Sequence, residues 1–303
     1  VLHDHRHGAR AGSRRVLRLF GTLLFIWFVV YPVAFAIVVA HKPRAPVVQA
    51  NWGRPSEEVR FLTSDGLSLA ATYVPTENGA AVILFPRQFA PVAHAQMFAR
   101  HGYGVLLVDM RGQGESEGDP NGFGWGSTKD LDAAVVFLQQ RDEVVRGRIG
   151  GLGLSVGGEQ MIEAAAGNRR LQAIAVEGVG FHSAHEGFSR RGPHPAQLAL
   201  QAVQDWILTG AIAVLSGDRP PPSLAQSAAR IAPRPVFFLL GERDNDNPRM
   251  LVPAYYDAAG TAGALWVIPG ATHTMGIQAQ PAAYEERVIG FFDDALLDRA
   301  VDE

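Results

Sequence analysis

The longest apolar stretch of the chain runs from Leu19 to Ala40. These 22 residues carry no charge and would be apolar on every side of a helix, so they predict one transmembrane helix rather than an amphipathic helix of a soluble core. Pro32 lies within the stretch, where lipid and neighbouring helices make a proline tolerable. A cleaved signal peptide is the alternative, because Val38, Val39 and Ala40 resemble a cleavage site, although the apolar run exceeds a usual signal core.

Basic residues are unequally distributed around this stretch. Residues 1–18 form a basic segment with five arginines: Arg6, Arg10, Arg14, Arg15 and Arg18. The near downstream side has three cations: Lys42, Arg44 and Arg54. The positive-inside rule therefore predicts a cytoplasmic N-terminus. Residues 41–55 are Pro-rich and lack hydrophobic periodicity, which indicates a linker to a domain at 56–303.

From residue 56 onward, short β-rich runs alternate with helical patterns, which predicts an α/β domain with a mostly parallel sheet and helices on both faces. Eight strands are predicted: Val59–Thr63, Ser68–Val74, Ala81–Phe85, Val105–Asp109, Ile149–Leu154, Leu171–Glu177, Val236–Gly241 and Ala264–Ile268. The first two should form a hairpin that turns at Asp65 and Gly66. The predicted helices are Val92–Arg100, Ser127–Gln140, Val156–Ala166, Met250–Ala259 and Ala282–Leu297.

One connection, from Gly178 to Pro235, is longer than a simple crossover requires. We expect a helical cap insertion at about residues 179–230. Within it, residues 195–217 have apolar side chains at helical spacing, which predicts one or two helices that lie over a site or against a membrane. The alternative is that these helices only pack against the domain.

Composition narrows the function. Apolar residues make up 47% of the chain and charged residues 19%, as in a packed globule with an additional hydrophobic stretch. The net charge of −3, without a basic stripe beyond the N-terminus, excludes nucleic acid as an expected partner. The chain has no cysteine, which leaves serine as the obvious nucleophile. No His, Asp or Glu cluster has metal-ligand spacing, so we expect no metal and no cofactor.

The segment GLSVGG at residues 153–158 follows an apolar strand and precedes a helical pattern, which is the context of a nucleophile elbow. Its glycines are required because a tight turn pushes Ser155 out at the end of the strand. Ser155 then lies at a helix N-terminus, where the N–H of Val156 is the natural donor to an oxyanion.

A serine nucleophile needs a base and an acid that orients the base. Asp244 follows the seventh predicted strand and His273 follows the last one, which gives the chain order Ser, Asp, His of this kind of elbow. Two alternative acids stay open. Asp246 is two residues from Asp244, and Glu177 ends the sixth predicted strand.

Residues 58–297 resemble the α/β-hydrolase superfamily, and in particular its dienelactone-hydrolase-like and peptidase S15-like bacterial members. Besides the elbow, the segment DMRGQGES at residues 109–116 is similar to the family's D-x-R-G-x-G-x-S segment. The resemblance implies a structural role for Arg111, which ties down loops near the site. The sequence departs from the family after the third strand, where FPRQ at 85–88 replaces the usual His-Gly. Because proline has no N–H, the second oxyanion donor should be Arg87 or, failing that, Gln88.

Together, these patterns predict a membrane-anchored serine hydrolase of the α/β-hydrolase fold that cleaves carboxylic esters. Ser155, Asp244 and His273 form its triad, Val156 and Arg87 its oxyanion hole, and its partner is a small-molecule or lipid-like acyl substrate. An S15-like peptidase or an acyltransferase is the enzymatic alternative, and an inactive hydrolase-like binding protein is the non-enzymatic one. The expected location is a bacterial cell membrane with the catalytic domain outside.

Overall fold

The computed structural model describes residues 5–41, 43–44, 50–85, 92–119, 123–182, 186 and 195–298. The chain begins with one continuous helix: α1 at His5–Phe25, a π-helical turn at Ile26–Val30 and α2 at Tyr31–Ala40. The predicted helix at 19–40 is therefore present and starts earlier. Within the described residues, two helical segments, Arg14–Ala40 and Ala199–Ser216, are long and apolar enough to cross a membrane by length and composition. That either one spans a membrane stays a prediction.

A mixed eight-stranded sheet forms the centre of the domain, in the spatial order β1-β2-β4-β3-β5-β6-β7-β8. Its strands are β1 at Glu57–Leu62, β2 at Ser68–Val74, β3 at Ala81–Phe85, β4 at Gly104–Val108, β5 at Ile149–Leu154, β6 at Ala173–Glu177, β7 at Val236–Gly241 and β8 at Gly263–Ile268. β2 is antiparallel to both of its neighbours, and the other pairs are parallel. The predicted sheet is confirmed, including the β1–β2 hairpin, where Gly66 adopts a positive φ of 88°.

Helices cover both faces of the sheet because the central strands are buried on both sides and read as continuous apolar runs. On β3, Ile83 packs into one core, and Val82 and Leu84 pack into the other. The helices of the domain are α3 at Val92–Arg100, α4 at Thr128–Gln139, α5 at Val156–Gly167, α6 at Pro195–Ser216, α7 at Leu224–Ile231, α8 at Asp246–Ala259, α9 at Gly276–Ala279 and α10 at Pro281–Phe292.

Two predicted helix boundaries are wrong. The helix predicted at Met250 starts at Asp246, because Pro248 fits the first turn of a helix, where its missing N–H has no intrahelical role. The helix predicted at 282–297 ends at Phe292 and continues as a π-helical turn, Asp293–Leu297.

The long connection between β6 and β7 contains two helices with different roles. α7 packs against α5 and α8 and thus belongs to the layer that covers the sheet. α6 instead packs against α2 of the N-terminal helix. Ala36 of α2 and Ile212 of α6 are buried together with Trp125 of the domain. Within the range predicted as a cap, α6 therefore joins the catalytic domain to the N-terminal helix.

The predicted linker also contacts the domain where it is described. The guanidinium of Arg44 donates hydrogen bonds to the carbonyls of Ser116, at 2.7 Å, and Gly118, at 3.0 Å. Trp52 is only 4% exposed and packs into one of the two cores. These contacts hold the end of the N-terminal helix close to the domain.

Candidate active site

Ser155 occupies the tight turn between β5 and α5 with a φ of 52° and a ψ of −123°, an uncommon backbone conformation for a residue with a side chain. The turn closes because its neighbours are small: a Cβ added to Gly153 would lie 2.6 Å from the Cα of Gly158. The Ser155 N–H donates to the carbonyl of Glu177 at 2.8 Å, which continues the β5–β6 pairing past the end of the strand. This geometry is that of a nucleophile elbow.

His273 lies in the loop after β8 and connects the serine to an acid. Its Nε2 is 2.9 Å from Ser155 Oγ, and its Nδ1 is 2.7 Å from Asp244 Oδ1. The Asp244 side chain is fully buried, whereas the His273 side chain is 33% exposed. Because a carboxylate only accepts, Nδ1–H donates to Asp244, and Nε2 is left to accept the proton of the Ser155 hydroxyl.

Two glycines that the sequence analysis did not single out make room for the histidine loop. Gly178, after β6, has a φ of +67°, and a Cβ there would lie 3.0 Å from the His273 ring. A Cβ on Gly241, at the end of β7, would lie 2.7 Å from the carbonyl oxygen of Ala271. Side chains at these positions would displace His273. The available sequence signal was the position of the two glycines at the carboxyl ends of β6, which neighbours the elbow strand, and β7, the next strand of the sheet.

Neither of the two alternative acids is the hydrogen-bond partner of His273 Nδ1, which is Asp244. Asp246 is exposed at the first turn of α8. Glu177 is completely buried at the end of β6 and accepts hydrogen bonds from the Gly276 N–H and the Tyr284 hydroxyl, each at 2.8 Å. Of the three carboxylates proposed from the sequence, the structure thus brings Asp244 to His273.

Glu177 ends a buried polar chain behind the site. Burial raises the pKa of its carboxyl, and the hydrogen bonds from Tyr284 and Gly276 oppose that rise. The Tyr284 hydroxyl also lies 3.2 Å from Nε2 of His94, whose pKa burial lowers to about 4. Since the hydroxyl proton goes to Glu177, neutral His94 donates to Tyr284. This series of hydrogen bonds connects α3, β6 and α10 to the start of α9, which lies three residues after His273.

The predicted oxyanion donors are described in part. Val156 is the first residue of α5, and Ser155 occupies the N-cap position. The N–H of Val156 therefore has no acceptor within the helix and is one of the free N–H groups at the helix N-terminus. Arg87 and Gln88, the predicted second donors, lie outside the described residues.

Arg111 is held away from the triad by ionic contacts. Its guanidinium binds Asp130 of α4, with Nε at 2.9 Å from Oδ1, and Asp65 of the β1–β2 turn at 3.0 Å. Its backbone N–H also donates to Asp130 at 3.0 Å. Arg111 therefore ties the loop after β4 to α4 and to the first hairpin.

Solved structures of other proteins have a similar fold. The esterase Pf2001 of Pyrococcus furiosus superposes on 84% of this chain and 99% of its own, with a TM-score of 0.65 and 20% identity. At this level of identity the likeness concerns the fold. The proteins similar in sequence include the following two. The uncharacterized protein PA2218 of Pseudomonas aeruginosa is 25% identical across 79% of this chain and 80% of that protein. The thiohydrolase aneE of Aspergillus aculeatus is 35% identical across 41% of this chain and 42% of that protein.

The sheet order, the elbow and these similarities define an α/β hydrolase. More narrowly, the model of the family described as X-Pro dipeptidyl-peptidase (S15 family) matches residues 48–271, and the chain belongs to that family. The matched region begins just before buried Trp52 and includes Ser155 and Asp244, while His273 lies two residues beyond its end.

Proposed function

We propose that this hydrolase is a membrane-anchored serine esterase that acts through an acyl-enzyme. The observation that carries the proposal is the pair of contacts made by His273, 2.9 Å to Ser155 Oγ and 2.7 Å to Asp244 Oδ1. In the first step, Ser155 Oγ attacks the ester carbonyl while Nε2 of His273 takes the hydroxyl proton. His273 returns that proton to the leaving alcohol. A water molecule, activated by the same nitrogen, then releases the carboxylic acid and restores the serine.

Charge develops at two places during this cycle. The imidazolium that forms on His273 is stabilised by Asp244, whose buried carboxylate cannot be screened by water. The oxyanion of the tetrahedral intermediate would lie at the N-terminus of α5, where the N–H of Val156 and the helix dipole favour negative charge. Arg87 is proposed as the second donor on the basis of its sequence position.

A peptidase is the second candidate because the chain belongs to the S15 family. An aminopeptidase of this type must bind a protonated substrate amine, which calls for an ionised carboxylate near the serine. Glu159, one helical turn beyond the elbow, is buried, and burial raises its pKa to about 8. A neutral acid at this position suits an uncharged acyl group better than an ammonium group. We therefore place the ester first.

The test uses the full chain, purified in detergent, with a fluorophosphonate probe and with p-nitrophenyl acetate, an acetyl thioester and an X-Pro p-nitroanilide. The expected result is labelling and ester turnover that Ser155→Ala abolishes. Ser64→Ala, in the β1–β2 turn, is the control for loss of a hydroxyl elsewhere. Hydrolysis of the anilide in preference to the ester would establish the peptidase. A folded wild-type protein that neither labels nor turns over any substrate would favour a binding protein.

The anchoring and its direction have a separate test, because the chain has no cysteine of its own. Residue 13, the site of Ser13→Cys, lies in the basic segment that precedes the apolar stretch. Residue 56, the site of Ser56→Cys, is exposed just before β1. If the N-terminus is cytoplasmic, a membrane-impermeant maleimide should label Ser56→Cys in intact cells and Ser13→Cys only after permeabilisation. The reverse pattern would contradict the proposed orientation, and labelling of both in a soluble fraction would contradict anchoring.

A further inference from the structure

A cavity of about 280 Å³ lies between the N-terminal helix and the catalytic domain. Phe35 and Val39 of α2 form one side, and Leu208 and Ile212 of α6 form another. Val156, the residue that follows the nucleophile, also lines the cavity. The size is close to the lower limit of ~300 Å³ for small-molecule sites. A group attached to a carbonyl at Ser155 is therefore adjacent to this cavity.

Burial favours the neutral forms of the two titratable groups that line the cavity. Glu159 and His182 both line it, and burial raises the pKa of Glu159 to about 8 and lowers that of His182 to about 4. His182 donates from Nε2 to the carbonyl of Phe123 at 3.0 Å, and Glu159 accepts from the Gly180 N–H at 3.1 Å. The walls are thus mostly apolar side chains, and burial favours the neutral forms of the two titratable groups among them, which suits an alkyl chain.

The outer wall belongs to a helix whose remaining surface is apolar and exposed. Phe35 is 44% exposed although it lines the cavity, and it contacts Phe123 edge-on at 6.3 Å between ring centroids. Trp27 and Tyr31 continue the same exposed surface, at 58% and 55%. Apolar surface that stays uncovered on this scale belongs in lipid or against a partner. A bilayer around the helix would reach the rim of the cavity at Phe35.

We propose that this cavity binds the acyl chain of the substrate, that α2 of the membrane helix is one of its walls, and that the chain enters from the bilayer. This rests on the proposed esterase function. The substrate class is then an ester of a medium-length fatty acid dissolved in the membrane. The N-terminal helix contributes to chain-length specificity as well as to anchoring.

The first experiment compares one substitution at two neighbouring positions of α2. Val39 is 9% exposed and lines the cavity, whereas Val38 is 64% exposed on the outside of the helix. The full chain, in lipid nanodiscs, is assayed with p-nitrophenyl esters from acetate to dodecanoate. Val39→Phe fills the cavity and should lower the ratio of kcat/KM for decanoate to that for acetate by about tenfold or more. Val38→Phe should leave the ratio unchanged.

The second experiment enlarges the cavity. Phe35→Ala removes a wall and should move the preferred ester to a longer chain. Phe25→Ala, at a 57% exposed site of the same N-terminal helix that does not line the cavity, should not. A decanoyl glycerol ester held in the nanodisc tests entry from the bilayer: Val39→Phe should slow its hydrolysis, and Val38→Phe should not.

The outcomes separate the two proposals. Fluorophosphonate labelling and acetate turnover report the esterase itself, and their absence would contradict the proposed function. If both are present and the two valine variants give the same chain-length ratio, the acyl site is wrong while the esterase stands. If the ratios differ as expected but the bilayer-held ester is not hydrolysed, the cavity binds acyl chains and the entry from the membrane is wrong.

Discussion

The side-chain amide of Gln204 on α6 donates a hydrogen bond of 2.9 Å to the backbone carbonyl of Trp27 in the N-terminal helix. Trp27 lies in the π-helical turn, where Tyr31 N–H bonds to the carbonyl of Ile26, five residues earlier. The next donor in this pattern would be the N–H of Pro32, which proline lacks. Gln204 therefore supplies the bond that Pro32 cannot supply, and an unsatisfied carbonyl in an apolar environment would be costly.

Loss of this amide should loosen the helix pair. We expect Gln204→Leu to lower the free energy of unfolding in detergent micelles by about 1 kcal/mol, because the Trp27 carbonyl then loses its donor. Gln201→Leu makes the same change one turn earlier on α6 and should have a smaller effect. Denaturant unfolding followed by circular dichroism measures both, and equal losses in the two variants would contradict the role given to Gln204.

The identity of the catalytic acid can be tested with two aspartates that are two residues apart. Asp244→Asn should lower kcat for p-nitrophenyl acetate by about ten-thousandfold, because an amide that donates to Nδ1 favours the wrong tautomer of His273. Asp246→Asn should stay within about twofold of the wild type, since Asp246 is exposed on α8 and does not contact His273. A larger loss at Asp246 than at Asp244 would reverse the assignment.

Arg111 should matter for stability rather than for chemistry. It is 11% exposed, and its partner Asp130 is completely buried, so Arg111→Ala leaves an uncompensated buried carboxylate and should cost about 3–5 kcal/mol. Arg60 pairs with Glu115 at the surface, where both side chains are more than half exposed, and Arg60→Ala should cost less than about 1 kcal/mol. Urea unfolding of both variants checks the difference. Similar costs would show that burial of the Asp130 pair is unimportant.

Much of the sheet and the meeting of Ser155, Asp244 and His273 could be expected from the sequence because each depends on local patterns. Buried strands appear as short apolar runs, and the carboxyl ends of parallel strands converge at one edge, where all three residues follow a strand. The choice between Asp244 and Asp246 was harder. Which of the two aspartates reaches His273 depends on how the loop after β7 turns. In this loop the Asp244 N–H donates to the carbonyl of Gly241, and the Arg243 N–H donates to the carbonyl of Ala271.

Contacts between segments that are distant in the sequence could not be predicted from local patterns. α6 was expected over a site or against a membrane, and the structure pairs it with α2, which lies more than 150 residues earlier in the chain. The burial of Trp52 and the contacts of Arg44 are of the same kind, since a Pro-rich segment without periodicity gives no sign of what it touches. The cavity lined by Phe35 and Ile212 exists only because these segments meet.

The buried acid Glu159 should make stability depend on pH. Its pKa in the folded chain is raised by burial from an ordinary value of 4.5 to about 8. Between these values the folded protein keeps a proton that the unfolded chain has released, so the free energy of unfolding falls as the pH rises, by up to ~1.4 kcal/mol per pH unit from this group. Glu163, whose pKa burial raises to about 7, adds a contribution of the same sign.

Glu159→Gln removes the ionisable group and keeps an oxygen that can accept from the Gly180 N–H. We expect this variant to lose less stability than the wild type between pH 5 and pH 8, by roughly 2–4 kcal/mol, with the gain appearing at the higher pH. Glu286→Gln, on the exposed side of α10, should follow the wild type at both values. Urea unfolding at pH 5, 6, 7 and 8 gives the slopes. Identical slopes for the wild type and Glu159→Gln would mean that Glu159 ionises in the folded protein as it does in the unfolded chain.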